Sequence, residues 1–287
     1  MGKGGKSIYL KTKENEFYQS TDDEPHAKRR KIILEKHPEI AKLFGHDSRP
    51  VPFVIFILVS HLAIAYYSKY LSWPFFIGIA WIYGGAASHA LSLMTHEVAH
   101  NLVFASPQWN EYFGMFCNIG MGFPSSTMFK RYHMEHHQFQ GNSEKDVDIP
   151  SRFEGDLVGN SFINKFIYLC LLFIAYGARP GYVRPKVYSQ KEYNNIKLIV
   201  FTDVLILIFC GFSGVLYMFL SLALGMGLHP VAGHFISEHY VFPDGEGYET
   251  FSYYGSLNWI CWNVGYHNEH HDFPKGNHLF YLFNILI

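Results

Sequence analysis

The sequence predicts an all-α membrane protein: about four transmembrane helices, with a cytosolic helical cap carrying a histidine-rich dimetal site. Three observations lead there. Hydrophobic residues make up 49% and aromatic residues 18% of the 287 positions. Mean hydropathy is nevertheless only +0.02, so apolar blocks must alternate with polar ones. Eight histidines fall in three short clusters at helical spacing.

Taken in order, residues 1–49 are hydrophilic and form a separate cytosolic segment ahead of the membrane domain, 50–287. No cleavable signal peptide is visible. The basic run Lys28, Arg29, Arg30 and Lys31 reads as a solvated helix face near the membrane. Val51 to Tyr67 is nearly all apolar and makes the first span. Pro74 to Met94 makes the second, about 31 Å long as a helix and close to the hydrocarbon thickness. Ile196 to Ala232 would extend about 55 Å, enough for two crossings, with Gly211-Phe212-Ser213-Gly214 as the turn between them. Phe162 to Tyr176 is apolar but short and interrupted by Asn164 and Lys165, which predicts an interfacial helix.

Lysine and arginine set the orientation. Only Lys69 lies between the first two spans and none lies in the turn at Gly211 to Gly214, whereas ten lie between Glu97 and Lys197. The N-terminus, the long middle segment and the C-terminus are therefore expected in the cytosol. All three histidine clusters then share one side.

Those clusters are HEVAH (His96, His100), HMEHH (His133, His136, His137) and HNEHH (His267, His270, His271). Neutral imidazole is the commonest protein metal ligand, and spacings of i, i+3 and i+4 place two or three rings on one helix face. One zinc takes three or four protein ligands, so eight histidines point to two metal ions. Imidazole suits several metals. Iron is the expectation, because attack on an unactivated C–H bond with dioxygen is chemistry that redox-inert zinc cannot do. Glu97, Glu135, Glu238, Glu269 and Asp272 stand beside the boxes as candidates to orient the rings. HEVAH also satisfies the HExxH pattern of zinc metalloproteases, a rival reading that leaves HMEHH and HNEHH unexplained.

Cys117, Cys170, Cys210 and Cys261 are widely spaced and read as reduced, buried thiols. A net charge of −1 gives no reason to expect nucleic acid. No internal repeat or phosphate-binding glycine loop is present.

The residues then carry a resemblance. The chain resembles the membrane fatty acid desaturase superfamily, and closely its sphingolipid Δ4-desaturase branch. The superfamily pattern of one two-histidine box and two HxxHH boxes is matched at all eight positions. The branch resemblance rests on Glu24-Pro25-His26-Ala27-Lys28-Arg29-Arg30-Lys31 and Lys36-His37-Pro38-Glu39-Ile40. It rests equally on Phe129-Lys130-Arg131-Tyr132, Asp146-Val147-Asp148-Ile149-Pro150, Gly233-His234-Phe235-Ile236-Ser237-Glu238-His239-Tyr240 and Asn263-Val264-Gly265-Tyr266. It covers roughly residues 15 to 274.

The resemblance implies two irons held by nine histidines, the ninth matching His239, with His234 as the competing candidate. His89, on the same stripe as His96 but deeper, is expected to be structural or substrate-facing. It further implies an endoplasmic reticulum enzyme that desaturates dihydroceramide to ceramide with dioxygen. The electrons would come from NADH through cytochrome b5 reductase and cytochrome b5, the latter a separate protein because no such domain is fused here. Sphingolipid C4-hydroxylation is the alternative outcome. Two departures stand out. Gly2 could be myristoylated as in relatives, but Lys6 occupies the usual Ser/Thr position, with Ser7 one place late. Family members continue well past the position of Pro274, whereas this chain ends in the apolar stretch Leu279 to Ile287. A truncated, inactive form is therefore the expectation of another class.

Overall fold

The computed structural model describes residues 24–239 and 250–276. Gly2, Ser7 and the tail from Leu279 lie outside them. The architecture is helical, and the only β pairing among the described residues is a single bridge between Phe44 and Gly276.

Helix α1 (His26–Lys36) precedes the membrane part. The first apolar block forms α2 (Val51–Tyr67), with Pro52 in its first turn, where a missing N–H costs nothing. The second span is longer than expected: α3 (Trp73–Ile79), a π-helical turn (Ala80–Gly85) and α4 (Ala86–Ala99) run on as one helix. HEVAH therefore sits on the last turns of the span itself. Its end is fixed by Asn101, left-handed at φ 58°, whose side-chain oxygen accepts a hydrogen bond from Lys130 Nζ at 2.6 Å.

Helix α5 (Pro107–Met121) turns back alongside α4, and Gly120 at its end lies against Leu91 and Leu58. The middle segment thus opens with a helix that packs along the second span. Met115, Cys117 and Met121 are apolar enough to pack inward, and Cys117 and Met121 join Leu91, Met94 and Val98 in one core. Helix α6 (Ser126–Phe139) then carries HMEHH. Helix α7 (Arg152–Val158) leads to α8 (Phe162–Cys170) and α9 (Leu172–Val183), which meet at 81°. At 9 and 12 residues, neither is long enough to cross a membrane.

Helix α10 (Gln190–Gly225) consists of two helical limbs joined at Gly211, where φ is 71° and ψ −173°. A straight helix would separate Asn195 from Gly225 by about 45 Å. Instead the chain reverses. Asn195 bonds to Asn118 at 2.9 Å, Gly214 abuts Ala65 at the far end of α2, and Leu222 returns to the core around Leu91 and Met94. The limbs 190–210 and 212–225 form a helical hairpin turning where the sequence predicted. With α2 and the second span, four helices can cross.

Close packing in the bundle uses small residues. A Cβ on Gly225 would lie 2.4 Å from the Gly85 carbonyl oxygen, so only glycine allows the two helices to approach this closely. Tyr217 Oη donates to His61 Nδ1 at 3.0 Å between spans. Phe53, Phe56, Ile82, Phe209 and Phe212 are exposed, as a lipid-facing surface requires. Cys117, Cys210 and Cys261 are buried, Cys170 is half-buried, and all four are free. With short 3₁₀ turns at Pro230–Gly233 and Ser256–Trp259, α11 (His234–Ser237) and α12 (His267–Asp272) complete the described helices.

Candidate metal centre

Each histidine box lies on a helix, so its imidazoles share a face. Box one ends α4, box two occupies the last two turns of α6, and box three is α12 itself. Together the helices bring all eight box histidines and His239 into two groups. The first is His96, His100, His133, His137 and His270; the second is His136, His239, His267 and His271. Within each group the available nitrogens lie within 4.8 Å of one another. His234 joins neither group. Its Nε2 faces His89 Nε2 at 2.8 Å, and His89 Nδ1 donates to the Gly225 carbonyl at 2.9 Å.

Nε2 atoms converge. His133 and His100 face each other at 3.0 Å, His137 and His133 at 3.1 Å, and His270 meets both His100 and His137 at 3.1 Å. In the second group His267 faces His239 at 3.0 Å and His271 at 3.1 Å. His133 Nδ1 donates to Asp148 at 2.7 Å, which leaves a lone pair on its Nε2. Two Nε2 lone pairs at this distance repel, so each such contact needs either a proton or a metal cation between the rings. Metal–imidazole bonds of about 2.0–2.1 Å put neighbouring ligands about 3.0 Å apart at right angles and about 3.4 Å apart in a tetrahedron. The observed spacing fits the former. Five imidazoles in one group also exceed what tetrahedral zinc takes. The donor set thus fits two metal ions.

Carboxylates orient the rings, though not all of those expected from sequence. Asp148 holds His133, and Asp146 accepts from His136 Nδ1 at 2.9 Å. Glu97 meets His96 Nδ1 at 3.3 Å, and Glu238 lies 2.7 Å from His234 Nδ1 and 3.6 Å from His267 Nδ1. Glu135, Glu269 and Asp272 point elsewhere. Glu135 pairs with Arg184 at 2.7 Å and Lys186 at 2.8 Å, because α6 turns that position outward. Tyr254 Oη donates to Glu269 at 2.6 Å, and Asp272 faces α1. Asp146 and Asp148 were missed as orienting groups. The available signal was an acid pair closing the loop directly after the second box.

Burial, reinforced by neighbouring imidazoles, pushes the pKa of His137, His267 and His271 well below the usual histidine value. They are neutral, as ligands must be. Burial also opposes charge on His136, but Asp146 beside it outweighs this and raises its pKa to about 9, so a metal at its Nε2 must displace a proton.

The Asp146–Asp148 loop has its own support. Buried Arg179 donates to the Val147 carbonyl at 3.0 Å and the Asp148 carbonyl at 3.2 Å, and binds Glu154 at 2.7 Å. Tyr176 Oη donates to the second oxygen of Asp148 at 3.0 Å. A cavity of about 520 Å³ opens beside this network. Its walls are largely apolar, with Phe123, Phe173, Phe219, Leu222 and Met226 prominent. Its lining also includes His96 and His133 of the first group and His136, His239 and His267 of the second.

An α-helical membrane bundle with an apolar cavity lined by imidazoles of two groups is compatible with a metal-binding membrane protein, and comparison with known proteins specifies the class. The model of the fatty acid desaturase family matches residues 71–280, and that of the sphingolipid Δ4-desaturase (DES) segment matches residues 13–49. A sphingolipid delta(4)-desaturase DES1 of Drosophila melanogaster is 45% identical over 266 residues, covering 92% of this chain and 82% of the relative. That of Homo sapiens is 44% identical over 255 residues, covering 88% and 78%. A DES1-like protein of Arabidopsis thaliana is 41% identical over 288 residues, covering 97% and 86%. No solved structure matches. The chain belongs to the fatty acid desaturase family, in its sphingolipid Δ4-desaturase branch. It is an oxidoreductase, a desaturase of sphingolipid metabolism.

Proposed function

We propose that this chain converts dihydroceramide to ceramide by introducing the 4,5 double bond of the long-chain base. Two irons are held by His96, His100, His133, His137 and His270 and by His136, His239, His267 and His271. The observation that carries the reading is the apolar cavity lined by imidazoles from both groups. The relatives' names support the sphingolipid as substrate class.

When bound, the irons supply the activation of dioxygen and the oxidising power that removes two hydrogens. The chain's own residues do the rest. Phe173, Phe219 and Leu222 wall the cavity, hold a hydrocarbon chain extended and exclude water from it. Asp146 and Asp148 fix the tautomers of His136 and His133, so that the Nε2 lone pair is the one that would bind metal. Dioxygen is the co-substrate, and electrons pass from NADH through cytochrome b5 reductase and a separate cytochrome b5. The membrane is that of the endoplasmic reticulum, with the N-terminus and all three boxes cytosolic. The zinc-protease reading has no support in a group of five imidazoles around HEVAH.

The test is mass spectrometry of products from microsomes expressing this chain and supplied with dihydroceramide, NADH and oxygen. Ceramide with a 4,5 double bond is expected. Phytoceramide would move the assignment to a C4-hydroxylase. Neither product, from protein shown to be present, would favour an inactive form.

A further inference from the structure

We propose that α1 is a positioning element of the metal centre. His26, Arg29 and Arg30 hold the third histidine box at the angle the second imidazole group requires. This rests on the two-metal reading above.

The basic run was expected to be a solvated face, and Lys28 and Lys31 are indeed exposed. Arg29 and Arg30 instead turn onto α12. Arg29 Nε donates to both Asp272 oxygens, at 2.8 and 2.7 Å, and its Nη2 reaches Asn268 Oδ1 at 2.5 Å. Arg30 Nε donates to the Asp272 carbonyl and its Nη2 to the His271 carbonyl at 3.1 Å. A cation on the last carbonyls of a helix is favourable.

His26, at 2% exposure, ties this end to the second box. Its Nδ1 donates to Asp272 Oδ1 at 2.8 Å, and its Nε2 meets Thr250 Oγ1 at 2.8 Å. Gln140, which ends α6, donates to the same Thr250 oxygen at 2.8 Å, so the threonine proton turns towards His26. A chain of four side chains thus links the ends of the helices that carry HMEHH and HNEHH. Further along, Gly45 N donates to the Lys275 carbonyl at 3.3 Å and Asp47 N to the Leu102 carbonyl at 2.7 Å, strapping the third box to the first.

Helix α12 has six residues, too few to hold a helix unaided. Its direction must come from outside. It supplies His267 and His271, two of the four imidazoles of the second group, but only His270 of the five in the first. Loss of the clamp therefore strikes the second group harder.

The experiment uses the full chain purified in detergent, with His26→Ala, Arg29→Ala and the control Lys28→Ala. Iron titration is expected to show metal affinity at one of two sites about 10- to 100-fold weaker in the first two variants, the other site and the control being unchanged. His26→Asn keeps a donor near the Nδ1 position and should recover part of the loss. Amide exchange of residues 267–272 in metal-free protein should rise in the same variants and not in the control. If His26→Ala fails to accumulate, Arg30→Gln carries the test by both readouts. Wild-type exchange at 267–272 and wild-type iron binding in the variants would overturn the proposal. A wild-type chain that binds no pair of irons would instead overturn the two-metal reading, while the exchange measurement still decides on the clamp.

Discussion

Asp146 and Asp148 stand behind ligands of different groups, so each should affect a different metal. Asp146→Asn is expected to weaken iron binding about 10- to 100-fold at the second group, read by metal titration of the purified chain. His136→Ala and His270→Ala should abolish ceramide formation and lower bound iron. Unchanged product formation in either would sink the ligand assignment. Tyr176 is a subtler case, since its ring faces the cavity while its hydroxyl binds the carboxylate that orients His133. Hydrogen bonds to charged groups contribute about 1.5–3 kcal/mol. Tyr176→Phe should therefore slow turnover roughly 10-fold or more with iron content retained; loss of iron instead would assign it a purely structural role. The box histidines were legible because i, i+3 and i+4 spacing is a local property. The orienting acids were not, because adjacency to a box in sequence says nothing about which way a helix turns. Glu135 directly precedes a ligand yet pairs outward with Arg184, whereas Asp148 lies 15 residues from the ring it holds.

Among the elements, the hairpin of α10 turns on one residue. Gly211 occupies backbone space essentially restricted to glycine, and a Cβ there would meet nothing within 4 Å. The cost of Gly211→Ala is therefore conformational and not steric, about 1–3 kcal/mol. Gly225→Ala fails for the opposite reason, by collision with the Gly85 backbone. Thermal unfolding in detergent should show a modest loss for the first substitution and a larger one for the second. Equal losses would contradict the distinction. The span lengths and the turn could be read from apolar runs and glycine. The packing of α5 could not be read, because the contact of Gly120 with Leu91 joins positions 29 residues apart that no local pattern links.

Across the whole molecule, the segment from α7 to α9 braces the centre through one buried ion pair, and this confers a pH dependence. Burial raises the Glu154 carboxyl, but Arg179 outweighs it and brings the pKa from 4.5 to about 2. At about 1.4 kcal/mol per unit this is roughly 3 kcal/mol of stability. It is fully present above pH 4.5 and is lost as pH falls through about 2. The melting temperature of the wild type should fall more steeply than that of Glu154→Gln between pH 5 and 2. Parallel curves would remove the ion pair as the cause. The π-helical turn Ala80–Gly85 has a consequence of a different kind. Each residue added to a helix rotates everything after it by about 100° and advances it by about 1.5 Å. The compass bearing of His96 and His100 is therefore decided a dozen residues upstream, deep among the spans. Deleting one residue from that turn would leave both histidines in the chain, still four apart, and aim them at the wrong wall of the bundle.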